Sequence, residues 1–280
     1  GIVTFGNLPF TKLTIESIRA TTQAPVEFFV IVGKPGDAET EWWLGSEGIP
    51  RCVHRMNHGF PASINDIYDH AWRKDDFDNV IIAGNDIVPY PGAVDALIAT
   101  AAATDWEWIC GSQFDVKSLV SRYPETAKCF SGANYSFTDF SAKPWEAHEA
   151  VRLRELEARA DDLIEPDVIK DVRNLTLFKR SVMEKIGYAD VNFWPGGYFE
   201  DNDYCKRARL AGVKACGLAS AAYFHFWSRT IHQGGKGNEH HDQFRANDRY
   251  YDTKWGGPFG QETWQLPFNG KPFDLGARVV

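Results

Sequence analysis

DNVIIAGNDIVPYPGAVDALIATAAA (78–103) is the segment whose reading decides the fold. It opens on an apolar run, Val80–Ala83, and reaches an acid, Asp86, where a strand would end. IVPYPG reads as a turn that stops the sheet, and the alanine-rich stretch behind Pro91 reads as a helix. The same strand–helix unit recurs upstream. GIVTFG (1–6) reads as a buried strand ending at Gly6, followed by a helix over 11–20. VEFFVIVG (26–33) is continuously apolar, as in a central strand covered on both faces. After the turn KPGD come a short helix over 39–44, a weaker strand in IPRCVHRM (49–56) and a helix over 64–72. Alternation through about residue 110 predicts an α/β fold whose central sheet is mainly parallel and flanked by helices. Ligands of such sheets bind outside the carboxyl ends of the strands, where Gly6, Gly33 and Asp86 fall.

The 280 residues, 44% of them hydrophobic, can bury a sizeable core. A formal charge of −8 argues against an extended phosphate-tracking surface. Aromatics reach 14%, with 10 Trp, enough for stacking surfaces as well as core. The cysteines (52, 110, 129, 205, 216) are odd in number and widely spaced, which reads as buried thiols in a reducing compartment. No apolar run approaches the roughly 20 residues that cross a bilayer. No basic-then-apolar leader opens the chain, and the expected location is cytoplasmic.

A second informative stretch is GGYFEDNDYCKRARLAGVKACGLASAAYFHFWSRT (196–230). Glu200, Asp201, Asn202 and Asp203 precede a basic helical pattern. Adjacent carboxylates raise each other's proton affinity, which suits a general base. The plainer reading is a helix N-terminus, where acids meet the positive end of the dipole, with Asp203 as a cap. His225 ends a small-residue apolar run and reads as a core histidine or a metal ligand. Ser228, Arg229 and Thr230 behind it offer donors suited to phosphate. Asp86, likewise, is a turn cap or a ligand for a divalent cation that binds a diphosphate. Asn57, His58 and Gly59 form a loop before a helix that contains Asn65, and Gly59 permits close backbone approach. HQGGKGNEHH (232–241) reads as a polar loop. Phosphate-loop, nucleophile-elbow and dinucleotide fingerprints are missing.

In their order along the chain, these segments resemble the family 2 glycosyltransferases of GT-A (Rossmann-like) fold. The resemblance runs from Ile2 to about Gly257, with 114–171 unmatched. IVTFGN resembles the opening strand, NHGFPASINDIYDHA the NxGF loop and helix, and AGNDIVPYPG the DxD segment. RNLTLFKRSVMEKIGYAD followed by GGYFEDNDYCKRARLAG is the most specific match, and NDRYYDTKWGG resembles a frequent tail. Two positions depart. The DxD reads Gly84-Asn85-Asp86, and the second strand ends in Gly33-Lys34 rather than an acid.

The resemblance implies inverting transfer from a nucleotide-sugar such as a UDP-sugar. Asp201, paired with Glu200, is the implied base. Thr4, Phe5, Gly6, Asn57, Gly59, Asn65, Asn85, Asp86 and Arg229 are the implied donor-binding residues. Asp86 and His225 are the implied ligands of Mn²⁺ or Mg²⁺. The expected organisation is one glycosyltransferase domain over 1–257, an acceptor-shaping insertion at 114–171 and a C-terminal tail at 258–280. The acceptor is a glycan, a protein or a hydroxymethylated base of phage DNA. The non-catalytic alternative is a module that binds a nucleotide-sugar or carbohydrate. A metal-dependent hydrolase needs more carboxylate or His ligands than the sequence offers.

Overall fold

A computed structural model describes residues 1–115, 164–166, 174–193, 197–226 and 237–272. The described strands form one nine-stranded sheet. They are β1 (Ile2–Thr4), β2 (Val30–Val32), β3 (Arg51–Val53), β4 (Asn79–Gly84), β5 (Ile87–Pro89), β6 (Trp108–Asp115), β7 (Ile164–Pro166), β8 (Leu175–Lys179) and β9 (Ala215–His225). Their order is β3-β2-β1-β4-β8-β6-β9-β5, with β7 paired to β9. The helices are α1 (Leu8–Thr21), α2 (Ala38–Ser46), α3 (Gly59–Asp69), α4 (Ala93–Ala103), α5 (Arg180–Ile186), α6 (Glu200–Leu210) and α7 (Gly237–Trp255).

The α/β reading holds, and the first four sheet positions are parallel, as alternation predicts. Beyond β4 the sheet is mixed. β8 lies antiparallel to both β4 and β6, while β9 runs parallel to β6. Alternating faces of β2 explain its apolar run. Val30 and Val32 pack with α1, α2 and α4, and Ile31 packs with α3, α5 and α6 on the other side. Helices therefore cover both faces, and Trp108, Phe178 and Tyr204 pack edge to face in the second layer. Cys110, Cys205 and Cys216 are buried in these layers as expected.

Two local expectations are corrected. IVPYPG does not stop the sheet: Ile87–Pro89 form β5, which pairs antiparallel with the end of β9. A three-residue strand ending in proline carries too little pattern to be read locally, and a distant partner stabilises it. The polar loop read over 232–241 is in part helix, because α7 begins at Gly237. Pro91 lies ahead of the α4 N-cap, Gly92, whose φ of 79° needs no Cβ. The charged helix read near 145–160, Cys129, Arg229 and most of 114–171 lie outside the described residues.

β9 reaches β5 because it is irregular. Gly111 pairs with Leu218 but Ser112 pairs with Ala222, so β9 carries extra residues opposite one step of β6. The backbone there is too close for a side chain. A Cβ on Gly111 would lie 2.6 Å from the Ala221 carbonyl oxygen and 3.2 Å from that of Leu175. Gly111→Ala is expected to destabilise the fold by about 1–3 kcal/mol in denaturant unfolding. An unchanged midpoint would contradict this close approach.

Candidate active site

The carboxyl ends of β1, β2, β3 and β4 share one edge of the sheet. Gly33 donates its amide to the Thr4 carbonyl at 2.8 Å, joining the ends of β1 and β2. Gly6 and Asn7 then turn with φ of 83° and 61° into α1. Phe5 is half-buried at this corner, and the Lys34 side chain runs over Gly6. Thr4 is wholly buried. Its hydroxyl donates to the Gly6 carbonyl at 2.8 Å, lies 2.9 Å from the Thr11 hydroxyl and accepts from Asn85 Nδ2 at 3.3 Å. The side chains of Thr4 and Asn85 therefore fix the loop.

Asp86 follows in the turn between β4 and β5. Thr14 of α1 both donates to the Ile87 carbonyl and accepts from its amide, which pins the turn to the helix. The β5–β9 pairing sets Ile87 opposite His225. As a result Asp86 Oδ1 lies 3.1 Å from His225 Nε2, with both side chains 11% exposed. An ion bound at about 2.1 Å by two cis ligands sets them about 3 Å apart. One carboxylate oxygen and one imidazole nitrogen suit Mn²⁺ and are compatible with Mg²⁺. The pair therefore fits a divalent cation.

Asn174 is the residue that sequence reasoning missed. Its side-chain amide lies 3.3 Å from His225 Nδ1 and donates to Gln113 Oε1 at 3.4 Å. It orients the imidazole through the nitrogen that does not face Asp86. It also lies against the glycine of the reduced DxD: a Cβ on Gly84 would meet Asn174 Oδ1 at 3.1 Å and its Cβ at 3.3 Å, a tight fit that a larger side chain enters only if Asn174 gives way. The only local signal was the position of Asn174 just ahead of β8.

The loop Asn57–Gly59 lies beyond β3. Asn57 Oδ1 accepts the Gly59 amide at 2.9 Å and shapes the entry to α3. Asn65 does not point its amide outward. It accepts from the Ala189 amide at 2.8 Å and donates to the Ala189 carbonyl at 2.9 Å, tying α3 to the loop after α5.

α6 begins at Glu200. Its C-terminus turns directly into β9, and Lys214 accepts the amides of Glu107 and Trp108 at the start of β6. The helix N-terminus therefore points toward the opposite edge, the one that carries Asp86 and His225. The three acids of its first turn differ. Asp203 is wholly buried and accepts from Arg207, Lys254 and Trp255, so it is a core anchor and not a cap. Glu200 is buried, and its Oε2 has no hydrogen-bond partner among the described residues. Burial, then repulsion from Asp201 and Asp203, pushes its pKa up to about 8. Asp201 is half-buried, and its Oδ1 accepts the Asn202 amide at 2.8 Å. It is the least buried acid of this turn.

A further trio, Cys52, His54 and Asp66, lies within 4.8 Å. His54 Nε2 is 2.7 Å from Asp66 Oδ2, and the buried Nδ1 has no hydrogen-bond partner among the described residues. A metal-bound histidine normally donates from its second nitrogen to an acceptor. Burial followed by repulsion from Asp66 also raises the Cys52 thiol pKa. The trio reads as a histidine–carboxylate contact.

Among solved structures, the chain is similar to the crystal structure of S. aureus TarS residues 1–349. The TM-score is 0.53 at 11% identity, over 90% of this chain and 70% of that one. The fold is GT-A-like. No family model and no curated protein matches the chain. Among the described residues, no helix is long and apolar enough to cross a membrane.

The Glu200 environment predicts a pH dependence of stability. The folded protein keeps this proton up to about pH 8, whereas the unfolded chain releases it near 4.5. Between those values the folded state binds the extra proton, so stability falls as pH rises. Glu200→Gln should flatten that slope in denaturant unfolding at pH 5 to 8. Parallel wild-type and variant curves would contradict a buried neutral Glu200.

Proposed function

We propose that the protein is an inverting, metal-assisted glycosyltransferase that moves a sugar from a nucleoside-diphosphate donor to an acceptor hydroxyl. The 3.1 Å approach of Asp86 to His225 at the carboxyl edge of a GT-A-like sheet carries the reading. The donor lies along the Thr4–Gly6 backbone, the Asn57–Gly59 loop and Asn85–Asp86. Phe5 offers a ring face to the nucleobase. Asn65 acts at one remove, through the Ala189 loop that it holds. Arg229, outside the described residues, is assigned to the diphosphate from the sequence alone.

Asp86 and His225 would hold Mn²⁺ or Mg²⁺, which supplies positive charge to the departing diphosphate. Asp201 takes the proton of the acceptor hydroxyl as its oxygen forms a bond to the anomeric carbon. The bond from that carbon to the diphosphate oxygen breaks, and the nucleoside diphosphate leaves with the electron pair. One in-line displacement inverts the anomeric centre. Buried Glu200, kept neutral, adds no like charge beside Asp201. The acceptor is a glycan, a protein or a hydroxymethylated DNA base, met at the region around 114–171. A donor-binding module without catalysis is the competing reading. It gives no reason for an accessible carboxylate beside two buried ones.

Asp201→Asn should lower transfer by at least about 10³-fold in a radiolabelled-sugar assay, with nucleotide binding retained. Near-normal turnover would remove Asp201 as base. Asp86→Ala should abolish the Mn²⁺-dependent part of the thermal stabilisation by nucleoside diphosphates, a mass-action effect of binding to the folded state. A wild-type protein that no nucleotide stabilises would sink the donor-site reading.

A further inference from the structure

We propose that α7 positions the general base, with Asn247 and Lys254 as positioning residues for Asp201. The inference rests on the reading of Asp201 as base. The turn that leads into α6 is strained. Gly197, Tyr198 and Phe199 have successive φ values of 84°, 81° and 65°, and two of them carry side chains. Phe199 is the N-cap residue of α6 and makes no side-chain cap hydrogen bond. Left-handed conformations at such residues persist only where the surroundings impose them.

The surroundings here are one face of α7. Asn247, buried at 2% exposure, donates Nδ2 to the Gly197 carbonyl at 2.9 Å and to the Tyr198 carbonyl at 3.3 Å. Phe244 packs against both Tyr198 and Phe199 with ring centroids 5.2 Å away. Tyr251 packs against Phe199 at 5.7 Å. Residues 244, 247 and 251 share a face at helical spacing.

Lys254, one turn further, fixes the helix behind the turn. Its ammonium lies 2.6 Å from Asp203 Oδ1 and 2.7 Å from Asp190 Oδ2. Burial alone would raise the pKa of Asp190, but Lys254, together with hydrogen bonds from the Asn192 amide and the Tyr250 hydroxyl, lowers it on balance. Asp190 adjoins Ala189, which Asn65 clamps from the donor side. A continuous set of contacts thus runs from α3 through the 189–190 loop and α7 to the turn that aims Asp201. None of these groups needs to touch a substrate.

The test uses the full chain with Asn247→Leu, which removes both donors at similar volume. Amide hydrogen exchange in 198–203 should rise about tenfold while the β4 and β6 amides keep their protection. With a nucleotide-sugar and Mn²⁺, kcat should fall about 10–100-fold while the donor KM stays within about twofold. Asn247→Ser, which keeps a short polar group, should lie between wild type and Leu, and it carries the same readouts if the Leu variant does not fold. Unchanged exchange in 198–203, or a raised KM at constant kcat, would overturn the proposal. A wild-type protein inactive with every nucleotide-sugar would overturn the transferase reading, while the exchange measurement would still decide the clamp.

Discussion

The antiparallel pairing of β5 with the end of β9 places Ile87 opposite His225, and Phe226 donates its amide to the Asp86 carbonyl at 3.0 Å. The site depends on this short ladder. Without it, Asp86 would be a turn residue at one strand end and His225 a histidine at another. The bulge opposite Gly111 brings β9 to β5, and Thr14 of α1 holds the β5 backbone from the helix side. A buried carboxylate and imidazole are costly unless they face partners. Here they face each other, with Asn174 behind the imidazole. That arrangement is suited to exchange the mutual contact for a shared cation.

The first turn of α6 shows how environment divides work among like residues. Asp203 is enclosed by two cations and an indole, and breaking such a network commonly costs about 3–5 kcal/mol. Among the described residues no cation offsets the burial of Glu200, which keeps its proton. Asp201 retains access to solvent. Three acids in one turn thus differ as an ion-paired anchor, a neutral buried acid and a half-buried carboxylate. The helix dipole favours all three alike and does not distinguish them.

Local pattern carried the first half of the fold well, because β1 to β4 and their helices are consecutive and each announces itself by apolar period. The Glu200–Asp203 cluster and His225 were legible for a different reason: their chemistry is conspicuous in a short stretch. What stayed hidden depends on distant partners. β5 is a strand only because β9 lies beside it. Asp203 looked like a cap because nothing near it in sequence shows Lys254 and Trp255. Asn174 and Asn247 are plain amides whose roles come from what they touch. The glycine of the reduced DxD packs closely on Asn174, a neighbour distant in sequence.

The most direct measurement is a crystal structure of the protein grown with Mn²⁺ and a nucleoside diphosphate, with anomalous data collected at the manganese edge. The account predicts one strong anomalous peak within bonding distance of Asp86 Oδ1 and His225 Nε2, with the diphosphate completing its coordination and the nucleobase toward Phe5. A peak at Cys52, His54 and Asp66 instead, or a bound nucleotide elsewhere with no metal between Asp86 and His225, would contradict it.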